Sequence, residues 1–81
     1  MEDMTIVEFN SLMRKVGFST PRNRKRVNFV RLCIVIATGL MADATMLLEQ
    51  GEDLDAIDFE RRAEIVIDYL SNNGYLDPDK M

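Results

Sequence analysis

The chain has no histidine and no tryptophan, and only one of its 81 residues is a cysteine, Cys33. Without histidine it lacks the side chain that most often transfers protons near neutral pH, and a zinc site would lack its usual ligands. A single cysteine excludes an intrachain disulfide and favours a reducing compartment such as the cytoplasm. We therefore expect no cofactor, no metal site and a cytoplasmic location.

Catalytic motifs are missing as well. The sequence contains no glycine-rich phosphate loop, no CxxC pair and no histidine-based triad. Asp53, Asp55 and Glu64 have the spacing of three ligands in a calcium-binding loop. Such a loop also needs an oxygen ligand and a glycine at the two central positions, where this chain has Ile57 and Asp58. The sequence therefore predicts that the protein is not an enzyme.

Capping residues and glycines divide the chain into three predicted helices. The signals typical of helix starts are the Thr5–Glu8 capping box, the Thr20-Pro21 pair and Asp55. The glycines suited to helix ends are Gly17, Gly51 and Gly74. Together they predict helices over about residues 5–16, 20–50 and 55–73, in a single domain of residues 1–76 with a flexible tail of residues 77–81. The expected fold is all-α, a short N-terminal helix plus a long antiparallel helical hairpin.

The predicted central helix is apolar around most of its circumference. One narrow stripe along it is mostly polar, since six of its eight residues are polar: Arg24, Asn28, Arg31, Val35, Thr38, Ala42, Thr45 and Glu49. A helix that is apolar elsewhere must be buried on most of its surface, and the two other helices are too few to cover it. We expect a homo-oligomer or a protein partner, with an interface of Phe29, Val30, Ile34, Leu40, Met41 and Leu47. The alternative is a compact monomeric three-helix bundle.

The same helix could be mistaken for a membrane span. The stretch from Phe29 to Leu48 reaches the roughly 20 residues that a span needs only by including Arg31 and Asp43. Each of these charges costs about 2.5–3.5 kcal/mol at the centre of a bilayer. We therefore predict a buried helix and no membrane partner.

Charge is sorted along the chain. Residues 1–31 hold seven basic and three acidic residues, and residues 32–81 hold three basic and eleven acidic residues. A basic cluster at the predicted start of the central helix consists of Arg22, Arg24, Lys25 and Arg26, with Arg31 one turn further on. Cations are unfavourable at a helix N-terminus, where an anion would be stabilised. The cluster could bind a nucleic-acid phosphate backbone, bind an acidic protein surface, or simply be solvated.

These patterns favour a protein that works by binding. The leading prediction is a non-enzymatic interaction or assembly module, of the kind that serves as a small regulator, an inhibitor or an oligomeric subunit, including virus-encoded examples. It would act through its apolar helical face and its basic end. The alternative prediction is nucleic-acid or nucleotide-phosphate binding through the basic cluster.

Overall fold

The computed structural model describes residues 4–18 and 28–77. Within these ranges the chain forms three helices, α1 (Ile6–Lys15), α2 (Phe29–Glu49) and α3 (Asp53–Asn72), and it contains no strand. The all-α prediction is confirmed. The connection between α2 and α3 is only three residues long, and these two helices pack against each other.

Helix α1 begins and ends where its sequence signals predict. The Thr5 hydroxyl accepts a hydrogen bond from the backbone N–H of Glu8 at 3.1 Å, which satisfies one of the unpaired donors of the first turn. At the other end Gly17 has a φ of +78°, a conformation that side chains disfavour and glycine tolerates. The N–H of Phe18 then donates to the carbonyl of Met13 at 2.9 Å and closes the helix end.

Helix α2 begins later than predicted. Asn28 has an extended backbone, with φ −81° and ψ 100°, and its side-chain oxygen accepts from the N–H of Arg31 at 3.1 Å. Asparagine is among the preferred N-cap residues, so its short amide side chain stops a continuous helix at this position. The prediction of one helix over residues 20–50 is therefore wrong at residue 28. Thr20 and Pro21, on which the predicted start depended, lie outside the described residues.

Helix α3 begins two residues before the predicted cap. Asp55 lies inside its first turn together with Asp53. The positive end of the helix dipole stabilises both carboxylates there. The predicted end is confirmed, because Gly74 has a φ of +76° just beyond the last turn. The N–H of Tyr75 donates to the carbonyl of Leu70 at 2.8 Å, as expected for this kind of helix end.

The hydrophobic core lies mainly between α2 and α3 and extends to α1 at one end. The three helices contribute Phe9, Leu12, Met13, Val30, Cys33, Ala37, Leu40, Ala63, Val66 and Leu70, all buried. Helix α1 packs where α2 begins and α3 ends. There the ring centroids of Phe9 and Phe29 are 4.9 Å apart.

Truncating Leu70 should destabilise the fold far more than truncating Leu54. Leu70 is fully buried, whereas Leu54 on the same helix is 84% exposed. We expect Leu70→Ala to lower the free energy of unfolding by about 2–5 kcal/mol, because it leaves a cavity. Leu54→Ala, the matched control, should change it by less than about 0.5 kcal/mol. Urea unfolding followed by circular dichroism measures both, and equal losses would contradict this core.

Candidate functional site

The structure describes one residue of the predicted basic site. Arg31 is exposed in the first turn of α2. Arg22, Arg24, Lys25 and Arg26 lie outside the described residues. Binding by this cluster therefore stays a prediction.

Two of the six residues predicted for the interface are in the chain's own core. Val30 is 6% exposed and Leu40 is 3% exposed, so the inclusion of these two in an interface is wrong. The side chains of Phe29, Ile34 and Leu47 are half-buried, and the first two pack against the core. Met41 alone among the six is exposed, at 49%. Sequence periodicity identifies apolar positions, but it does not say which of them α3 covers.

The polar stripe of α2 faces solvent from Asn28 to Glu49. Along it, the hydroxyl of Thr38 donates to the carbonyl of Ile34 at 2.8 Å, and that of Thr45 donates to the carbonyl of Met41 at 3.1 Å. These bonds satisfy the two hydroxyls within α2. The two threonine hydroxyls are therefore engaged within the helix.

A cluster of one carboxylate and two phenols fastens α1 to the end of α3. The hydroxyls of Tyr69 and Tyr75 both donate to the carboxylate of Glu8, the latter at 2.8 Å, and the two phenol rings are 6.5 Å apart. The bond to Glu8, then partial burial, raise the pKa of Tyr69 to about 12. A phenol that is harder to ionise stays protonated near neutral pH and keeps donating to Glu8, so the three side chains hold α1 against the end of α3 as a tyrosine clamp.

Sequence reasoning missed this clamp. It assigned Glu8 to the capping box of α1, and the N–H of Glu8 does complete half of that box by donating to Thr5. The carboxylate instead bonds partners that lie 61 and 67 residues along the chain. No local spacing signals a contact over that separation.

Helix α1 covers one flank of the α2–α3 pair and leaves the other uncovered. The covered flank carries the tyrosine clamp and the Phe9–Phe29 contact. On the opposite side a groove of about 240 Å³ runs between the two helices. It is lined by Met41, Ala63, Glu64, Ile67 and Asp68. Ile34 and Leu48 lie seven residues to either side of Met41, on the same side of α2. We call these seven residues the open flank.

A second cavity, of about 320 Å³, lies on the covered flank. Its lining is Phe18, Ile36, Gly39, Leu40, Asp43, Phe59 and Arg62. The Arg62 guanidinium is held by an ion pair with Asp58 at 3.0 Å and lies 5.6 Å from the centre of the Phe59 ring. Its charge is thus already partnered within α3, and the lining offers no nucleophile beside it.

Cys33 is a core thiol. Its side chain is fully buried and its Sγ lies 3.9 Å from the sulfur of Met4. Burial, together with the nearby charge of Glu8, raises the pKa of the thiol to about 11. The reactive thiolate is therefore disfavoured.

Two further features of the described residues bear on metal and membrane binding. Among residues 4–18 and 28–77 no three histidine, cysteine, aspartate or glutamate side chains come together as a metal site would require. Helix α2 is the one helix in this part of the chain that is long and apolar enough to cross a membrane, with a mean hydropathy of 1.7. The possibility of a span rests on the length and composition of α2 alone. The absence of a membrane partner stays a prediction.

Comparison with known proteins adds no relative. No protein-family model matches the chain, and neither a curated protein nor a solved structure matches it.

The tyrosine clamp should make stability fall at high pH. The pKa of Tyr69 rises from 10.0 to about 12 on folding, so the folded state holds this proton more tightly than the unfolded state. The stabilisation is complete below pH 10 and is lost as the pH rises towards 12. Ultraviolet absorbance of the phenolate should show a late phase that disappears in Tyr69→Phe. A native titration with both phenols ionising near pH 10 would contradict the clamp.

Cys33 should react with a thiol reagent only after unfolding. At pH 8 we expect the native chain to react at least about a hundredfold more slowly than the urea-unfolded chain, because the thiol is buried and its pKa is about 11. A disulfide reagent that releases a chromophore on reaction with a thiol is used, and the rate is followed by the absorbance of that chromophore. A short peptide containing one cysteine serves as the unprotected control, and equal rates in folded and unfolded chain would show that the thiol is accessible.

Proposed function

We propose that this chain is a non-enzymatic protein-interaction module, a small regulator or assembly subunit, that associates with further copies of itself through the open flank. One observation carries the proposal. Met41 is 49% exposed and Ile67 is 36% exposed on the two sides of a groove that α1 does not cover. Soluble monomers seldom leave contiguous apolar patches larger than about a few hundred Å² uncovered, and exposed apolar side chains on both walls of a groove favour binding of a partner.

The size of the groove favours a protein partner over a small molecule. Ligand pockets usually measure about 300–1,000 Å³. The groove on the open flank measures about 240 Å³ and is bordered by helices on both sides. Grooves between two helices take side chains from a third helix, which is how helices pack in general. The open flank therefore suits a helix better than a free metabolite.

Burial of the open flank would also contribute stability that a small chain needs. A domain of 81 residues buries only about 60–65% of its unfolded surface. Fully burying an exposed apolar side chain of this size contributes about 1.5–3 kcal/mol, and completing the burial of Met41 or Ile67, which are 49% and 36% exposed, contributes about a third to a half of that. Association thus takes the place of the disulfide or metal that many small domains use.

The chemistry of the open flank supports binding rather than catalysis. Its ionisable groups are the carboxylates of Glu64 and Asp68, and neither faces a nucleophile or a cation in the groove. Carboxylates would repel a phosphate backbone. Nucleic-acid binding would have to use Arg22, Arg24, Lys25 and Arg26, which lie outside the described residues.

Placing a charge in the groove should weaken association. We expect Met41→Glu to raise the dissociation constant for self-association by at least about tenfold, because a carboxylate would be buried without a partner. The matched control is Val35→Glu, which adds the same charge to the polar stripe of the same helix, at a side chain that is 65% exposed. Light scattering and sedimentation across a dilution series measure the mass.

The two variants and the native chain together decide the matter. Helical circular dichroism should be the same in all three, since both changed side chains are exposed in the single chain. A native chain that keeps the 9.3 kDa mass of one copy at every concentration would overturn the proposal. So would equal weakening by Met41→Glu and Val35→Glu, because association would then not involve the open flank.

A further inference from the structure

The open flank is acidic as well as apolar. Glu64 and Asp68 border the groove beside Ile67, and none of its seven residues is a lysine or an arginine. An apolar groove with carboxylates on its border favours a partner that presents an apolar side chain next to cations. A segment of this kind combines an exposed apolar side chain with lysine or arginine on the same face.

The outer face of α1 has this pattern. Val7, Ser11, Arg14 and Lys15 are all exposed, and their spacing of four, three and one residues places them on one side of the helix. Val7 is 73% exposed, an unusual position for an apolar side chain of this size. The face therefore has one apolar side chain near its beginning, a small residue in the middle and two cations at its end.

These two surfaces point away from each other within one copy. The inner face of α1, with Phe9 and Met13, packs on the covered flank of the α2–α3 pair. The open flank lies on the opposite side of that pair. The cations of α1 therefore have no access to the carboxylates of Glu64 and Asp68 in the same chain.

We infer that the open flank binds the outer face of α1 of a second copy. Val7 of one copy enters the groove between Met41 and Ile67 of the next, and Arg14 and Lys15 lie beside the carboxylates of that copy. The inference rests on the proposed self-association and names the two surfaces that meet.

The dimensions of the two surfaces agree. Helix α1 has 10 residues and is therefore about 15 Å long. The open flank extends along α2 from Ile34 to Leu48, which is about 21 Å at 1.5 Å per residue. Val7 and Arg14 are about 10 Å apart along α1 by the same rise. With Val7 at Met41, in the middle of the open flank, Arg14 and Lys15 lie about 10–12 Å further along α1, at one end of the flank, and their long side chains extend back towards Glu64 and Asp68.

A symmetric contact between two open flanks is less favourable. It would bring Glu64 and Asp68 of both copies towards one another, and Arg61, three residues before Glu64 on the same side of α3, offsets only part of that repulsion. The contact between α1 and the open flank joins two different surfaces. Each copy then keeps one of them free for the next, so association continues past a dimer unless it closes into a ring.

Two charge-reversed variants test the inference. The first, Glu64→Lys with Asp68→Lys, makes the open flank basic and leaves α1 basic. The second, Arg14→Glu with Lys15→Glu, makes α1 acidic and leaves the open flank acidic. Because the meeting surfaces then carry like charges, we expect each variant alone to associate at least about tenfold more weakly than the native chain. Light scattering across a dilution series at low salt measures the mass.

Mixing the two variants should restore association. In the mixture each open flank faces an α1 of opposite charge on the other variant, so large particles should form at concentrations where either variant alone does not assemble. The single changes Val35→Glu and Glu49→Lys, on the exposed stripe of α2, are the controls and should associate like the native chain. Helical circular dichroism confirms that every variant folds.

Several results would overturn the inference. If the α1 variant associates like the native chain while Met41→Glu does not, the open flank binds another surface and only the proposed function holds. If both variants weaken but their mixture does not recover, the charges do not meet across the contact. If the native chain does not associate at all, the proposed function and the inference both fail.

Discussion

The packing of α2 on α3 is the interaction on which the rest of the structure depends. Small side chains lie at this contact on both helices, including Ala37 on α2 and Ala63 on α3, both almost fully buried. They let the two backbones approach closely, while Leu40, Val66 and other larger side chains fill the space around them. Only this pair offers a surface on which α1, a helix of 10 residues, can bury its own apolar face.

The open flank follows from the number of helices rather than from any special motif. Helix α2 is apolar on three sides, and its polar stripe accounts for only the fourth. Helix α3 covers one side and α1 covers part of another, near Phe29. The side that includes Met41 is left over, because the described residues contain no fourth helix. The three helices thus bury a common core, and the groove beside Met41 stays uncovered.

The sequence predicted the local structure well because local signals are strong in this chain. Thr5, Gly17 and Gly74 mark helix ends by backbone preferences that act within a few residues. The predicted helix start was wrong where one residue fits two local roles. Asn28 fits the polar stripe of a long helix and also fits an N-cap, and periodicity alone cannot choose between them. The interface prediction failed at Leu40 for another reason, since the choice of buried face depends on α3, which lies far along the chain.

The cations of α1 and two carboxylates of α3 lie on opposite flanks of the α2–α3 pair. Glu8, the one acidic residue of α1, points inward, where Tyr69 and Tyr75 donate hydrogen bonds to it. That arrangement leaves the outer face of α1 with cations as its only charges, while α3 places two of its carboxylates, Glu64 and Asp68, on the open flank. Within one copy the α2–α3 pair stands between these charges, so they cannot neutralise each other. Contact between copies removes this constraint, which is why the charge pattern and the uncovered apolar groove favour the same partner.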